Sequence, residues 1–303
     1  MGFPVEIETN SAEVMAAASG AWKRYPKLSE GTPVRLRVMV SDAGTETPPF
    51  DSSTIAFNGE WMLVGSDSRS TQNFAKGNLA QGWCNVNLTA DQAADPDHLR
   101  YHVLEPLAYL LLAPRHYAFV HASCVALNGR ALVLCGAAGV GKTCLAFACA
   151  RRGWTFLSGD ATHLLHRSAE CTVAGRPYSI RFRESAAELF RELKALPAAL
   201  RPNQKLSIEA DTDKLNVLTA LRARASHIVF LERLATGSAR IEPVSPEEAI
   251  HLLDEAVFFG DEKIREDQRA TLRHFASLRC VRLKYADLHD AEAALRGLVP
   301  DSA

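Results

Sequence analysis

The sequence predicts an α/β protein in two parts: a mixed sheet with flanking helices over residues 116–303, preceded by a smaller α+β layer over residues 1–115. Three observations support this. An apolar, strand-like run at 131–135 leads into a glycine-rich stretch at 136–143, which opens a run of helix formers at 144–150. Across the second part, β-branched and apolar segments of strand length alternate with segments of helical period. A long helical pattern closes at Pro114, just before that alternation begins.

In the first part, residues 5–8 and 34–40 predict strands, and 12–25 between them a helix capped by Asn10 or Ser11. Short strands follow at 54–58, 61–65 and 83–88, while the polar Ser-, Asn- and Gly-rich stretch 66–82 predicts hairpins or a loop. Asp95, Pro96 and Asp97 start a helix to Leu112, with Leu99, Val103, Leu104, Leu107, Leu110 and Leu111 at helical spacing and Pro114 as its stop.

In the second part, 117–126 and 130–135 predict two strands joined by Asn128 and Gly129, a two-residue hairpin signal. The helix after the glycine stretch stops at Gly153. Further strands are expected at 154–157, 162–166, 178–182, 206–208, 228–231 and 281–285. Helices are expected at 185–193, 246–257 and 268–276 and at the Ala-rich C-terminus.

Acidic and basic residues nearly cancel, leaving a net charge of −1, so bulk charge gives no case for nucleic acid or a membrane surface. The first residues lack the basic and apolar runs of a signal peptide, and Glu6 stands where a myristoylation motif needs Ser or Thr. No apolar stretch is long enough to span a bilayer. Seven cysteines, none spaced as C-x-x-C, fit reduced core residues of a cytoplasmic protein.

The chemistry concentrates at Gly136, Ala137, Ala138, Gly139, Val140, Gly141, Lys142 and Thr143, spaced G-x-x-x-x-G-K-T between a strand and a helix that continues through Cys144. Glycines let successive N–H groups turn inward as an anion nest, and the helix directs its positive end at the same point. Lys142 is then expected to reach the terminal phosphates of a nucleotide, and the Thr143 hydroxyl to hold magnesium. No N-K-x-D run is present to read guanine, and no L-S-G-G-Q sequence of an ABC-type ATPase, which leaves ATP as the expected nucleotide.

The stretches His121-Ala122-Ser123, Gly136 to Thr143, Arg151-Arg152-Gly153-Trp154 and Leu157-Ser158-Gly159-Asp160 together resemble the catalytic core of the HPr serine kinase/phosphorylase superfamily. Asp160 follows Lys142 by eighteen positions, the family's separation between the P-loop lysine and its second acidic residue. The likeness extends over about residues 117–290 and is most specific at its start. It implies a P-loop kinase core of the HPr kinase C-terminal type, ATP and magnesium as cofactors, a peptide, protein or small-molecule hydroxyl as acceptor, and a homo-oligomer. It also implies that His121 lies beside the γ-phosphate. Asp160, at the tip of the strand next to the glycine stretch, suits magnesium binding through water, proton acceptance from the hydroxyl, or both. Arg201 and Lys205, or Arg181 and Arg183, are candidates for a further cation at the phosphates; Glu232 is expected to form salt bridges, and His163 and His166 to be structural. Family members carry Asp-Asp where this chain has Gly159-Asp160, and the family's phosphorolysis loop is missing. The alternative is therefore a catalytically degenerate nucleotide-binding module with a regulatory or partner-binding role.

Overall fold

The computed structural model describes residues 2–42, 50, 52, 54–65, 72–200, 206–254 and 260–300. Two compact units form, Met1–His116 with Phe258–Asp267, and Tyr117–Val257 with Gln268–Ala303. The division differs from the expected one in that Phe258–Asp267 belongs to the first unit; the helix Glu262–Ala276 runs across the division.

The first unit holds β1 (Val5–Thr9), β2 (Val34–Ser41), β3 (Ile55–Asn58), β4 (Trp61–Gly65), β5 (Phe74–Asn78) and β6 (Trp83–Thr89), in the spatial order β1-β2-β6-β5-β4-β3. The β1–β2 and β2–β6 pairings are parallel and the others antiparallel. In β2, Val34, Leu36 and Val38 are buried while Arg35 and Arg37 face outward, the alternation of a sheet with one face on the core. Ser11 caps the helix Ala12–Trp22 by accepting from the Val14 N–H at 3.3 Å.

The polar stretch read as hairpins or a loop contains β5, antiparallel to both β4 and β6. Its Gly77 allows the Trp83 carbonyl to approach within 2.6 Å of where a Cβ would stand. A strand containing Gly and Asn carries little β propensity, so packing decides it. One expectation fails here: Pro114 does not end its helix. Asp95 caps a start at Pro96–His98, a π-helical turn spans Leu99–Leu104, and the α-helix Glu105–His116 contains Pro114 near its end.

The second unit contains β7 (Tyr117–Val120), β8 (Ser123–Leu127), β9 (Arg130–Cys135), β10 (Thr155–Ser158), β11 (Thr162–Leu165), β12 (Thr172–Ala174), β13 (Ser179–Arg183), β14 (Ala198–Leu200), β15 (Leu206–Asp211), β16 (Arg222–Arg233), β17 (Arg240–Pro243) and β18 (Arg279–Tyr285). Its main sheet has the order β10-β8-β9-β16-β12-β11-β7, with β18 also on β16 and β17 on β18; β13, β15 and β14 form a smaller sheet. Strands β9, β16 and β18 are mutually parallel, and β8 is antiparallel to both β9 and β10. The carboxyl ends of β9, β10, β16 and β18 therefore share one edge with the start of β8.

Apolar side chains cover both faces. Leu132, Leu134, Val229, Leu231 and Leu283 pack with Leu145 and Phe147 of the helix Lys142–Ala150 and Leu295 of Leu288–Arg296. Val133, Ile228 and Phe230 pack on the other side with Leu253, Leu272 and Phe275. Burial on both sides explains the continuous apolar runs at 131–135 of β9 and 228–231 of β16. Phe182 of the small sheet meets Phe147 edge-on at 5.1 Å, which seats that sheet against the helix.

The expected single strand at 117–126 is interrupted. β7 pairs with β11, whereas β8 pairs with β9 and β10, and His121 and Ala122 make the break. The helix expected at 185–193 is a short α-turn, Ala186–Leu189, followed by a 3-10 turn, Arg191–Ala195. β12, β14 and β17, of three, three and four residues, are too short to stand out in sequence.

Candidate active site

The hairpin turn at Asn128 and Gly129, with φ of 50° and 74°, returns the chain into β9, whose end opens the glycine loop. Gly136, Gly139 and Gly141 have φ of 148°, 89° and 104°, values that side-chain-bearing residues rarely adopt. A Cβ on Gly141 would also stand 2.8 Å from the Tyr285 Oη. Gly141 is the N-cap of the helix Lys142–Ala150 and offers no side-chain cap, so the leading N–H groups point out of the helix uncapped by a side chain. Tyr285, at the end of β18, donates its hydroxyl to the Val140 carbonyl at 2.8 Å and fixes the loop from behind.

Lys142 is buried and folds back over the loop, donating to the Gly136 carbonyl at 2.8 Å and the Ala137 carbonyl at 3.2 Å. An ammonium has three N–H donors, so one remains for a ligand while two brace the loop. Burial lowers its pKa; the neighbouring Cys135 and Asp160 oppose that, and Arg183 adds to it.

The turn after β10 brings the acidic residue in. Ser158 donates to the Ala161 carbonyl at 2.6 Å and accepts from the Ala161 N–H at 3.1 Å, which pins the turn around Gly159 and Asp160. The Gly159 carbonyl accepts from two hydroxyls, Thr143 at 2.8 Å and the fully buried Ser123. Thr143, the residue expected to hold a metal, is thus bonded to the turn that carries Asp160. Its hydroxyl oxygen keeps a lone pair for a cation.

His121 lies in the break between β7 and β8. Its ring donates to the Asp160 backbone, and its pKa is lowered by partial desolvation and by the charge of Lys142, against the opposing effect of Asp160. The imidazole is therefore neutral near pH 7, with one nitrogen able to accept a proton.

Of the expected extra cations, Arg201 and Lys205 lie outside the described residues. Arg181 and Arg183 share the outward face of β13, and Arg183 is the one at the loop: its Nη1 stands 3.3 Å from where a Gly139 Cβ would be. Arg233, which sequence reasoning missed, ends β16 with its guanidinium 4.9 Å from the centre of the Tyr285 ring. Both arginines act electrostatically on Cys144, whose thiol is half-buried and raised in pKa by that burial. Glu232 pairs with Arg282 and Lys284, each at 3.9 Å, away from this role. Fully buried His163 has its pKa pushed by burial down to about 3, and His166 bonds Thr271 at 2.6 Å. Ser123 and Tyr285 were also not singled out as site residues, and only tertiary contacts reveal their roles.

The donor set suits a magnesium nucleotide: outward helix N–H groups, a lysine with a donor to spare, a tethered Thr hydroxyl, a carboxylate and a further guanidinium. The structure thus defines a mixed α/β protein with a glycine-rich strand-to-helix loop at the carboxyl edge of its main sheet. No protein-family model matches the chain, and no curated protein matches it. Among solved structures, the Hpr(Ser) kinase/phosphatase from Coxiella burnetii aligns with 59% of this chain and 95% of its own length, at 11% identity and a TM-score of 0.33. That likeness is too slight to assign an activity. No helix among the described residues is long and apolar enough to cross a membrane.

Proposed function

We propose that the protein is an ATP- and magnesium-dependent kinase that transfers the γ-phosphoryl group to a hydroxyl of a peptide, a protein or a small molecule. The observation that carries the reading is the tether between Thr143 and the Gly159 carbonyl, which holds the metal-binding hydroxyl beside the carboxylate-bearing turn. Phosphoryl transfer asks the protein mainly to position its reactants and neutralise charge. Loop N–H groups and the third Lys142 donor grip the phosphates. Thr143, with Asp160 through water, would hold magnesium, which when bound neutralises phosphate charge. Arg183 adds a second cation above Gly139. Asp160 accepts the proton of the attacking hydroxyl, and neutral His121, bonded to the Asp160 backbone, orients that turn.

A second reading, a nucleotide-binding module without transfer, is favoured by Gly159, which leaves one carboxylate in this turn. Calorimetry with ATP, ADP and GTP tests the nucleotide part of the proposal. ATP should bind in the presence of magnesium and lose about tenfold or more in affinity in Lys142→Ala, the loss expected for a charge-assisted contact. A preference for GTP, or ATP binding indifferent to that substitution, overturns it.

A further inference from the structure

At the opposite end of β9 from the glycine loop, Arg130 and Arg224 are direct partners in the β9–β16 ladder. Like charges held side by side on neighbouring strands repel one another. The ladder offers no relief, because the partner of Arg224 on its other side is Thr172. Neither arginine has an ion-pair partner among the described residues. The cationic character continues along β16. His227 is the ladder partner of Arg279, and its pKa is lowered by burial and then by Arg279 and Arg130. The His227 Nδ1 lies 3.0 Å from the Ser226 Oγ, while its buried Nε2 has no hydrogen-bond partner among the described residues. Ser226 is the extra residue where the β9–β16 register shifts, a bulge of the kind that re-aims side chains.

These strands border a cleft of about 470 Å³, with Arg130, Glu170, Cys171, Arg224, Ser226 and Leu278 in its walls. That volume lies within the range of small-molecule sites. Glu170 is the one carboxylate in the lining and, like Arg130 and Arg224, is exposed. Two guanidinium forks from adjacent strands match paired oxygens of phosphoryl or carboxylate groups.

We propose that this cleft binds a compact, multiply charged anion between Arg130 and Arg224, at a site separate from the glycine loop. The anion supplies the negative charge the ladder lacks, and its binding stabilises the sheet at that end. Phosphoryl compounds and polycarboxylates share this chemistry. The inference stands whether or not the glycine loop binds a nucleotide.

The test uses the full chain carrying Lys142→Ala, which weakens the phosphate grip of the glycine loop. Inorganic phosphate, pyrophosphate and citrate are titrated into it by calorimetry, and the melting temperature is followed in parallel. At least one probe should bind at one site and raise the melting temperature. Adding either Arg130→Gln or Arg224→Gln should weaken that binding by about tenfold or more. Relief of the repulsion should also leave the anion-free Arg224→Gln protein as stable as its parent, or more so. Phosphate or pyrophosphate binding alone would identify a phosphoryl ligand, and citrate binding alone a polycarboxylate. Two results overturn the proposal: no binding by any of the three probes, or a response that persists unchanged in both arginine variants. The latter is the general effect of excluded salts on stability.

Discussion

The Thr143 hydroxyl donates to the Gly159 carbonyl at 2.8 Å, and the buried Ser123 hydroxyl donates to the same oxygen. One backbone carbonyl therefore joins the helix after the glycine loop, the start of β8 and the turn bearing Asp160. Ser123→Ala removes one of its two donors while Thr143 still satisfies the oxygen. The expected cost is about 1 kcal/mol of stability, the net worth of one hydrogen bond. Since Ser123 touches no phosphate in this account, turnover should fall while ATP affinity stays near the wild-type value. Equal losses in both would show that Ser123 contributes to binding instead.

Arg183 is placed to act on the outermost phosphate, because its guanidinium lies over Gly139. Arg183→Ala should weaken ATP about tenfold by calorimetry and ADP much less, the contrast expected of a contact to the terminal group. Equal weakening of both nucleotides would place the arginine elsewhere on the ligand.

Tyr285→Phe keeps the ring in the core but removes the hydroxyl that supports Val140. A loss of about 1 kcal/mol is expected, or about 2–4 °C in melting temperature for a unit of this size. Gly141→Ala should be worse, since its φ of 104° and the Tyr285 Oη at 2.8 Å both oppose a Cβ. A Gly141→Ala protein as stable as Tyr285→Phe would mean that the loop has room to move.

Much of this arrangement was legible in the sequence where chemistry dictates residue type at fixed spacing. The glycine loop needed residues tolerant of positive φ, and the interval from Lys142 to Asp160 marks one helix and one strand. The β7–β8 break was not legible, because the residues around His121 suit a strand throughout and only pairing to different neighbours separates them. β5 was hidden for the opposite reason: Gly77 and Asn78 argue against a strand, and a close carbonyl requires the glycine. The arginine at the loop is Arg183, two positions beyond Arg181 on the same strand face, a distinction that depends on strand length. Tyr285 and Arg233 come from strands far away in sequence and meet the loop through the parallel pairing of β16 with β9 and β18.

Acid should weaken the fold through His163. Burial keeps its imidazole neutral in the folded state, with a pKa pushed from 6.5 down to about 3. The unfolded chain takes up that proton as pH falls below the ordinary value, while the folded chain does not until about pH 3. The contribution of His163 is therefore complete above 6.5 and is lost progressively as pH falls through that window. Urea denaturation from neutral pH down to about pH 5 should show stability falling, with a shallower slope in His163→Leu. An identical slope in the variant would assign the acid sensitivity to other groups.

The most direct test of the proposed transfer compares Asp160→Asn with the wild-type protein, measuring release or transfer of labelled γ-phosphate beside calorimetric ATP affinity. Turnover should fall by about 10²- to 10⁴-fold, the contribution of a positioned base, while ATP affinity changes by less than about threefold. Turnover that survives the substitution, or a wild-type protein that binds ATP and transfers nothing to water, serine peptides or small alcohols, would contradict the kinase reading and leave a nucleotide-binding module.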